Sequence, residues 1–135
     1  MASNLAESEF SFWTMLPHTL YHSRCSRVLW LTSALNPTPP AGAFWSLTMY
    51  SVPDFFLVPN SAGRYSIGGN TPGIVRGEDG SLTIHMSAAE PTDPLARANW
   101  LPAPDGPFRP MLRVYEPDES IVDGRYELPA VVRVR

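Results

Sequence analysis

Apolar residues occupy every second position through Trp45, Leu47 and Met49, with Ser46 and Thr48 between them and Phe44 and Tyr50 at the ends. A two-residue period sends alternate side chains to opposite faces of an extended chain, so residues 43–50 are expected to form a β-strand at the centre of the core. The side chains of this run suit or tolerate a pleated, half-buried surface. The same period recurs at Leu82, Ile84 and Met86, with Thr83 and His85 between them, and at Leu112 and Val114, flanked by Arg113 and Tyr115. A last strand is expected over Leu128 to Val134, with Val132 and Val134 on one face and Arg133 on the other.

Proline and glycine punctuate these runs. Asn36 to Pro40 halts regular structure ahead of the central strand, because proline fixes φ and removes a donor. Residues 52–58 lie between Pro53 and Pro59, and Asp54-Phe55-Phe56 reads as a helical turn or as a loop that tucks both rings into the core. Asn60 to Gly63 reads as a turn, and Arg64 to Ile67 as a short strand. Asp79-Gly80 predicts a hairpin that joins Gly73–Arg76 to Ser81–Met86, since glycine accepts positive φ without penalty. Residues 87–97 read as a polar loop. Pro117 to Gly124 reads as a helical turn opened by Asp118.

The first 38 residues are less regular. Phe10, Phe12, Trp13, Leu16 and Leu20 fit a short helix or a pair of strands, with Pro17 interrupting any helix, and Arg27 to Leu35 is apolar enough for a buried strand. This divides the chain into an N-terminal segment, 1–38, that adds one strand, and a domain, 39–135. Roughly six or seven short strands with a turn about every ten residues, and no βαβ rhythm, predict an all-β fold. The expected architecture is an antiparallel jelly-roll-like β-sandwich with one or two short helical turns.

Composition supports this reading and narrows the chemistry. Fifteen prolines in 135 residues disfavour long helices, and 17% charged residues is a low share. All ten basic residues are arginine, which excludes a Schiff-base lysine, a phosphate-loop lysine and a serine–lysine pair. A net charge of −3 argues against nucleic acid or an anionic membrane as partner. Cys25 stands alone, so neither an intrachain disulfide nor a CxxC motif is present. Glu7 and Glu9, with no early basic residue, do not resemble a secretory signal, and no stretch approaches a membrane span; a cytoplasmic location is the default expectation.

The chemistry-bearing groups are few. His18, His22 and Cys25 have helical spacing, but structural zinc wants four ligands, so no metal is expected. Asp79 and His85 lack a GxSxG serine, and Asp79 is better explained as turn chemistry. The acidic residues, including Asp118, Glu119 and Asp123, cluster at turns without EF-hand spacing. No catalytic residue and no cofactor are expected. The one row with chemical potential is arginine and tyrosine, with Arg64, Arg109 and Arg113 as the arginines of interest. Arg113 alternates with core residues, and beside Arg64, Tyr50, Tyr65, Tyr115 and Trp100 it is expected to line a cleft for a carboxylate or sugar. The competing reading has Arg113 bridging strands and pairing with Glu116 or Asp123. Phe44, Trp45, Phe55, Phe56 and Phe108 are expected in the core.

Seven ordered stretches carry a family likeness: FWSLTMY at 44–50, RYSIG at 64–68, DGSLTIH at 79–85, NWLPAP at 99–104, GPF at 106–108, LRVYEP at 112–117, and a DG-then-P pattern from Asp123 to Pro129. Together they resemble the domain of unknown function 1214 family, from about Pro39 onward. The resemblance implies a jelly-roll-like β-sandwich, commonly the C-terminal half of longer proteins that begin with a 1254 domain, and it implies no settled activity. Two departures are Ser51, where the family more often has an acidic residue, and the lack of a companion domain. The leading expectation is an accessory or interaction domain that self-associates or binds a protein. The alternative is a small-ligand domain, for a carbohydrate or organic acid, or a hydrolase, with its site on the arginine–tyrosine face.

Overall fold

A computed structural model describes residues 11–15, 21–22, 30–35, 38–127 and 131–134. The fold is all-β, with nine strands and two short helices among these residues: β1 (Ser11–Met15), β2 (Tyr21–His22), β3 (Trp30–Leu35), β4 (Ala41–Ser51), β5 (Ser66–Gly68), β6 (Leu82–Ser87), α1 (Pro94–Ala98), β7 (Trp100–Pro102), β8 (Pro107–Pro117), α2 (Glu119–Val122) and β9 (Val131–Val134). One sheet runs β1-β8-β4-β5, with β2 also pairing β8; the other runs β7-β6-β3-β9. All pairings are antiparallel except β6 with β7. A parallel pair needs a crossover of about a dozen residues, usually helical, and residues 88–99 with α1 provide it.

The alternating runs become strands with their apolar rows inward. Trp45, Leu47 and Met49 of β4, Phe108, Leu112 and Val114 of β8, and Leu82, Ile84 and Met86 of β6 join Ile67 and Leu101 in one buried cluster drawn from both sheets. Each such side chain contributes ~1.5–3 kcal/mol when fully buried. Strand β4 pairs with β8 from Phe44↔Tyr115 to Ser51↔Phe108, with an irregularity between Ala41 and Phe44 where Gly42 and Ala43 oppose Glu116. That extra residue is a β-bulge, and Glu116 takes up the irregularity with a φ of +52°. Proline is unwelcome inside a sheet because it lacks a donor. Pro110 accordingly falls where β8 passes from its pairing with β2, at 107–108, to its pairing with β1, which starts at Met111. Gly68 of β5 sits so close to β4 that a Cβ there would lie 2.2 Å from the Trp45 carbonyl oxygen.

Several expectations are corrected. The first arm of the predicted hairpin, Gly73–Arg76, is not a strand. Its turn forms, with the Gly77 N–H on the Ser81 carbonyl, but both edges of β6 are already taken by β3 and β7. Asn99 holds the displaced arm instead. The 87–97 loop contains α1, opened by Asp93, whose carboxylate accepts from the Ala96 N–H with Pro94 in the first turn. Phe55 and Phe56 do not enter the core: they lie at 44% and 70% exposure on a turn in which the Ser51 N–H meets the Phe56 carbonyl and the Phe55 N–H meets the Ser51 carbonyl. Phe44 is also exposed, on the outward row of β4. Val132 is exposed, and Val131 packs on the core.

In the N-terminal stretch Phe12 and Trp13 lie in β1, and β3 takes up the second half of the strand predicted over Arg27 to Leu35. Phe10, Leu16, Pro17, Leu20, Arg27 and Leu128 lie outside the described residues. The α2 turn forms as read, capped by the Asp118 side chain on the Ser120 N–H. No helix among the described residues is long and apolar enough to cross a membrane.

Candidate functional site

Strand pairing puts directly opposed residues on the same face of a sheet. On the outward side of β4 and β8 the opposed pairs are Phe44–Tyr115, Ser46–Arg113, Thr48–Met111 and Tyr50–Arg109. The inward apolar positions are locked in the core, so the register of this outward row is fixed by them.

At one end the Phe44 and Tyr115 rings stack with centroids 4.2 Å apart. In the middle, the Arg113 guanidinium donates from Nη2 to the Tyr50 hydroxyl at 2.6 Å and from Nη1 to Thr48 Oγ1 at 3.2 Å. It also lies 5.5 Å from the centre of the Tyr50 ring. Tyr50 therefore leans along the sheet, from its register position opposite Arg109 toward Arg113. At the far end Arg109 sits 5.6 Å from the centre of the Phe55 ring, which brings the 52–57 turn onto the same face. A planar guanidinium is suited to both contacts, hydrogen bonds in its plane and rings against its face.

Of the six residues predicted to share a cleft, Tyr50, Arg113 and Tyr115 lie on this row. The other three do not join it. Trp100 is buried at 4% exposure, its Nε1 donating to the Ser87 carbonyl, so it belongs to the packing of β7 on β6. Arg64 donates through Nη1 to the carbonyls of Ala98 and Trp100, at 3.0 and 2.9 Å, and ties the 60s loop to the start of β7. Tyr65 is exposed, on the chain entering β5, where its carbonyl accepts the Met49 N–H. These residues share a chemical type and not a place in the fold. Nothing in the pattern places Arg64 near β7, which is 36 residues away.

Two contributors were not singled out from sequence. Thr48 shared the outward parity of Tyr50 and was legible on that ground. Phe55 comes from a turn whose path only the fold sets. Arg113 bridges β8 to β4 through Thr48 and Tyr50, as the competing reading expected, while Asp123 holds Arg125 at 2.6 Å and Glu116 lies exposed at the bulge.

The remaining candidates resolve into local structure. Asp79 accepts from the Ser81 N–H and Oγ, which holds its carboxyl below the usual range, and this is turn chemistry as read. Asp118 is lowered in the same way by Ser120, and Asp123 by Arg125. His85 lies on the outward row of β6, and burial lowers its pKa, partly opposed by Asp93. His22 lies in β2, a strand and not the helix the zinc spacing assumed, while His18 and Cys25 lie outside the described residues. Among the described residues no three His, Cys, Asp or Glu side chains gather to hold a metal.

Comparison with known proteins follows the same lines. The model of a family described as Protein of unknown function (DUF1214) matches residues 24–119, a span that takes in β3 as well as β4 to β8. No curated protein matches the chain. The crystal structure of the VPA0106 protein from Vibrio parahaemolyticus is similar, with a TM-score of 0.74 and 26% identity over 93% of this chain. The chain spans only 30% of the length of that relative.

Proposed function

Because the chain belongs to the family described as Protein of unknown function (DUF1214), which brings no reaction with it, we propose an accessory or interaction domain built as a jelly-roll-like β-sandwich. In this reading the two sheets are the layers of the sandwich, residues 39–135 form most of the domain body, and β1, β2 and β3 from the first 38 residues complete both sheets rather than adding a single strand. The observation that carries it is the turn at Phe55, Phe56 and Leu57. Three consecutive large apolar side chains are exposed there, on backbone held by hydrogen bonds from Ser51 to Phe56. Exposed apolar surface on an ordered scaffold marks binding sites, because water leaves it at a gain of ~25 cal/mol per Å². The VPA0106 relative is more than three times as long as the segment it shares with this chain, so a companion domain is a suitable occupant. We place a 1254 domain first among companions, as the family resemblance implies, with a second copy of the chain next.

Light scattering over a concentration range tests self-association. A rising mass that falls back to the monomer in Phe56→Ser supports it. A strict monomer that also fails to bind the companion domain of a longer relative in a mixed sample overturns the interaction reading.

A second reading has its own support. The clustering of Arg113 with Tyr50 and Thr48 on the outward face of β4 and β8 supports a small-ligand site there, for a carbohydrate or organic acid. Thermal shift against sugars and organic acids tests it, since a ligand that binds only the folded state raises the melting temperature.

A further inference from the structure

We propose that Asp105 is a site of spontaneous isoaspartate formation, the one of the chain's three Asp–Gly pairs whose carboxyl group the fold leaves available to react. The pairs are Asp79-Gly80, Asp105-Gly106 and Asp123-Gly124. A following glycine favours the reaction in each, because it has no Cβ to obstruct the approach of its nitrogen. The Gly106 backbone nitrogen attacks Cγ of the protonated Asp105 carboxyl. A C–N bond forms, the carboxyl hydroxyl takes the amide proton, and one water leaves, closing a five-membered succinimide. Solvent water then reopens the ring. Cleavage at Cγ returns aspartate, whereas cleavage at the main-chain carbonyl leaves the backbone running through Cβ and Cγ.

The carboxylates distinguish the three pairs. Asp79 accepts from the Ser81 N–H at 3.0 Å and from its hydroxyl at 2.6 Å. Asp123 accepts from the Arg125 N–H at 3.1 Å and from Nε at 2.6 Å. To reach the next nitrogen, each must first give up these bonds. The same bonds favour the ionised form and lower both pKa values, which thins the protonated population that reacts. Asp105 is exposed, and among the described residues its carboxylate has no such partner. Pro104 and Gly106 beside it have contacts of their own, so the distinction lies in the carboxylate. Asp105 also lies where the chain passes from β7 in one sheet to β8 in the other. An added backbone carbon there falls just ahead of Pro107, whose carbonyl accepts the Val52 N–H at the root of the exposed 55–57 turn.

The test incubates the full chain at pH 7, folded and in concentrated urea, and samples it over time. Trypsin cuts after Arg76, Arg97, Arg113 and Arg125, so each Asp–Gly pair falls in its own peptide. Chromatography with electron-transfer fragmentation then measures isoaspartate at each site, and the succinimide is seen as a peptide lighter by one water. In urea the three sites are expected to react at similar rates. In the folded chain Asp79 and Asp123 should slow several-fold, the scale of releasing exposed hydrogen bonds, while Asp105 stays close to its rate in urea. Gly106→Ala, whose added Cβ meets no atom within 4 Å, should suppress the Asp105 product and keep the fold. Arg125→Gln should speed Asp123 and leave Asp105 unchanged. Folded-state protection of Asp105 equal to that of Asp79 and Asp123 overturns the proposal. So does an absence of isoaspartate at Asp105, an undiminished product in Gly106→Ala, or an unchanged Asp123 rate in Arg125→Gln.

Discussion

The side-chain amide of Asn99 closes on both backbone groups of Val75, its Nδ2 donating to the carbonyl at 2.6 Å and its Oδ1 accepting the N–H at 2.8 Å. Asn99 is buried, so it acts as a strand partner for a segment that has none. Its own carbonyl accepts the His85 N–H, which ties the same residue to β6. Asn99→Ala is expected to destabilise the fold by about 2–3 kcal/mol, because it strands backbone groups that the amide satisfied. Urea unfolding followed by tryptophan fluorescence measures it, and hydrogen exchange at Val75 should accelerate beyond the global effect.

Arg64 performs a related task at longer range. One Nη1 serves the carbonyls of Ala98 and Trp100 together. Arg64→Met keeps much of the stem and removes the donors, and a loss of about 1.5–3 kcal/mol is expected. If Arg64 were instead a ligand contact, its loss would weaken the binding of a small ligand and leave the melting temperature of the free protein unchanged.

Gly68→Ala tests the close approach of β5 to β4. The added carbon would stand 2.2 Å from the Trp45 carbonyl oxygen, which is backbone and cannot rotate away. The strands must separate, and the expected cost is about 1–3 kcal/mol, as for an overpacked interior. Chemical-shift changes confined to residues 45–48 and 66–70, with a lowered melting temperature, are the signature.

Met49→Ala tests the shared core. Met49 is fully buried on β4 within the cluster that also takes Ile84 and Met86 from β6. The expected loss is about 2–5 kcal/mol, as for other large-to-small changes in a close-packed interior. A loss near zero would mean that the two sheets do not pack through this residue.

His85 sets a pH window. Burial lowers its pKa below the ordinary 6.5, and Asp93 opposes this in part. The unfolded chain therefore binds the proton first as pH falls, so stability decreases as pH drops through about 6.5 and levels off below the folded-state value. His85→Gln should flatten the slope of melting temperature against pH between 7.5 and 5. The depressed carboxyls of Asp79, Asp118 and Asp123 act in a separate window, below their ordinary 3.8.

Legibility in the sequence followed the range of the interaction. Period-two runs marked β4, β6 and β8 with the right inward rows, because Leu47, Ile84 and Leu112 answer to burial alone. Asp118 and Asp79 were readable because a side chain capping its own neighbouring backbone is a local event. The Asp93-Pro94 start of α1 carried a readable capping signal that the surrounding prolines obscured. What stayed hidden was competition between distant segments. Gly73–Arg76 has the composition of a hairpin arm, yet β3 and β7 occupy the edges it needed. The candidate site divided for the same reason: Tyr50 and Arg113 share a parity on paired strands, whereas Arg64 and Trp100 meet through a loop.

The pairing of β3 with β9 sets Trp30 opposite Val134. About a hundred residues of chain separate these two positions, so β9 is made long after β3 and is the last strand to reach that sheet. Until then β3 offers an open flank to any extended segment nearby. Pairings so far apart along the chain close slowly, on the millisecond-to-second scale of β-rich topologies. Maturation of this protein is thus expected to wait on synthesis, with a holdase or a quick-pairing neighbour most valuable in the interval after Ser87 emerges and before Val131 does.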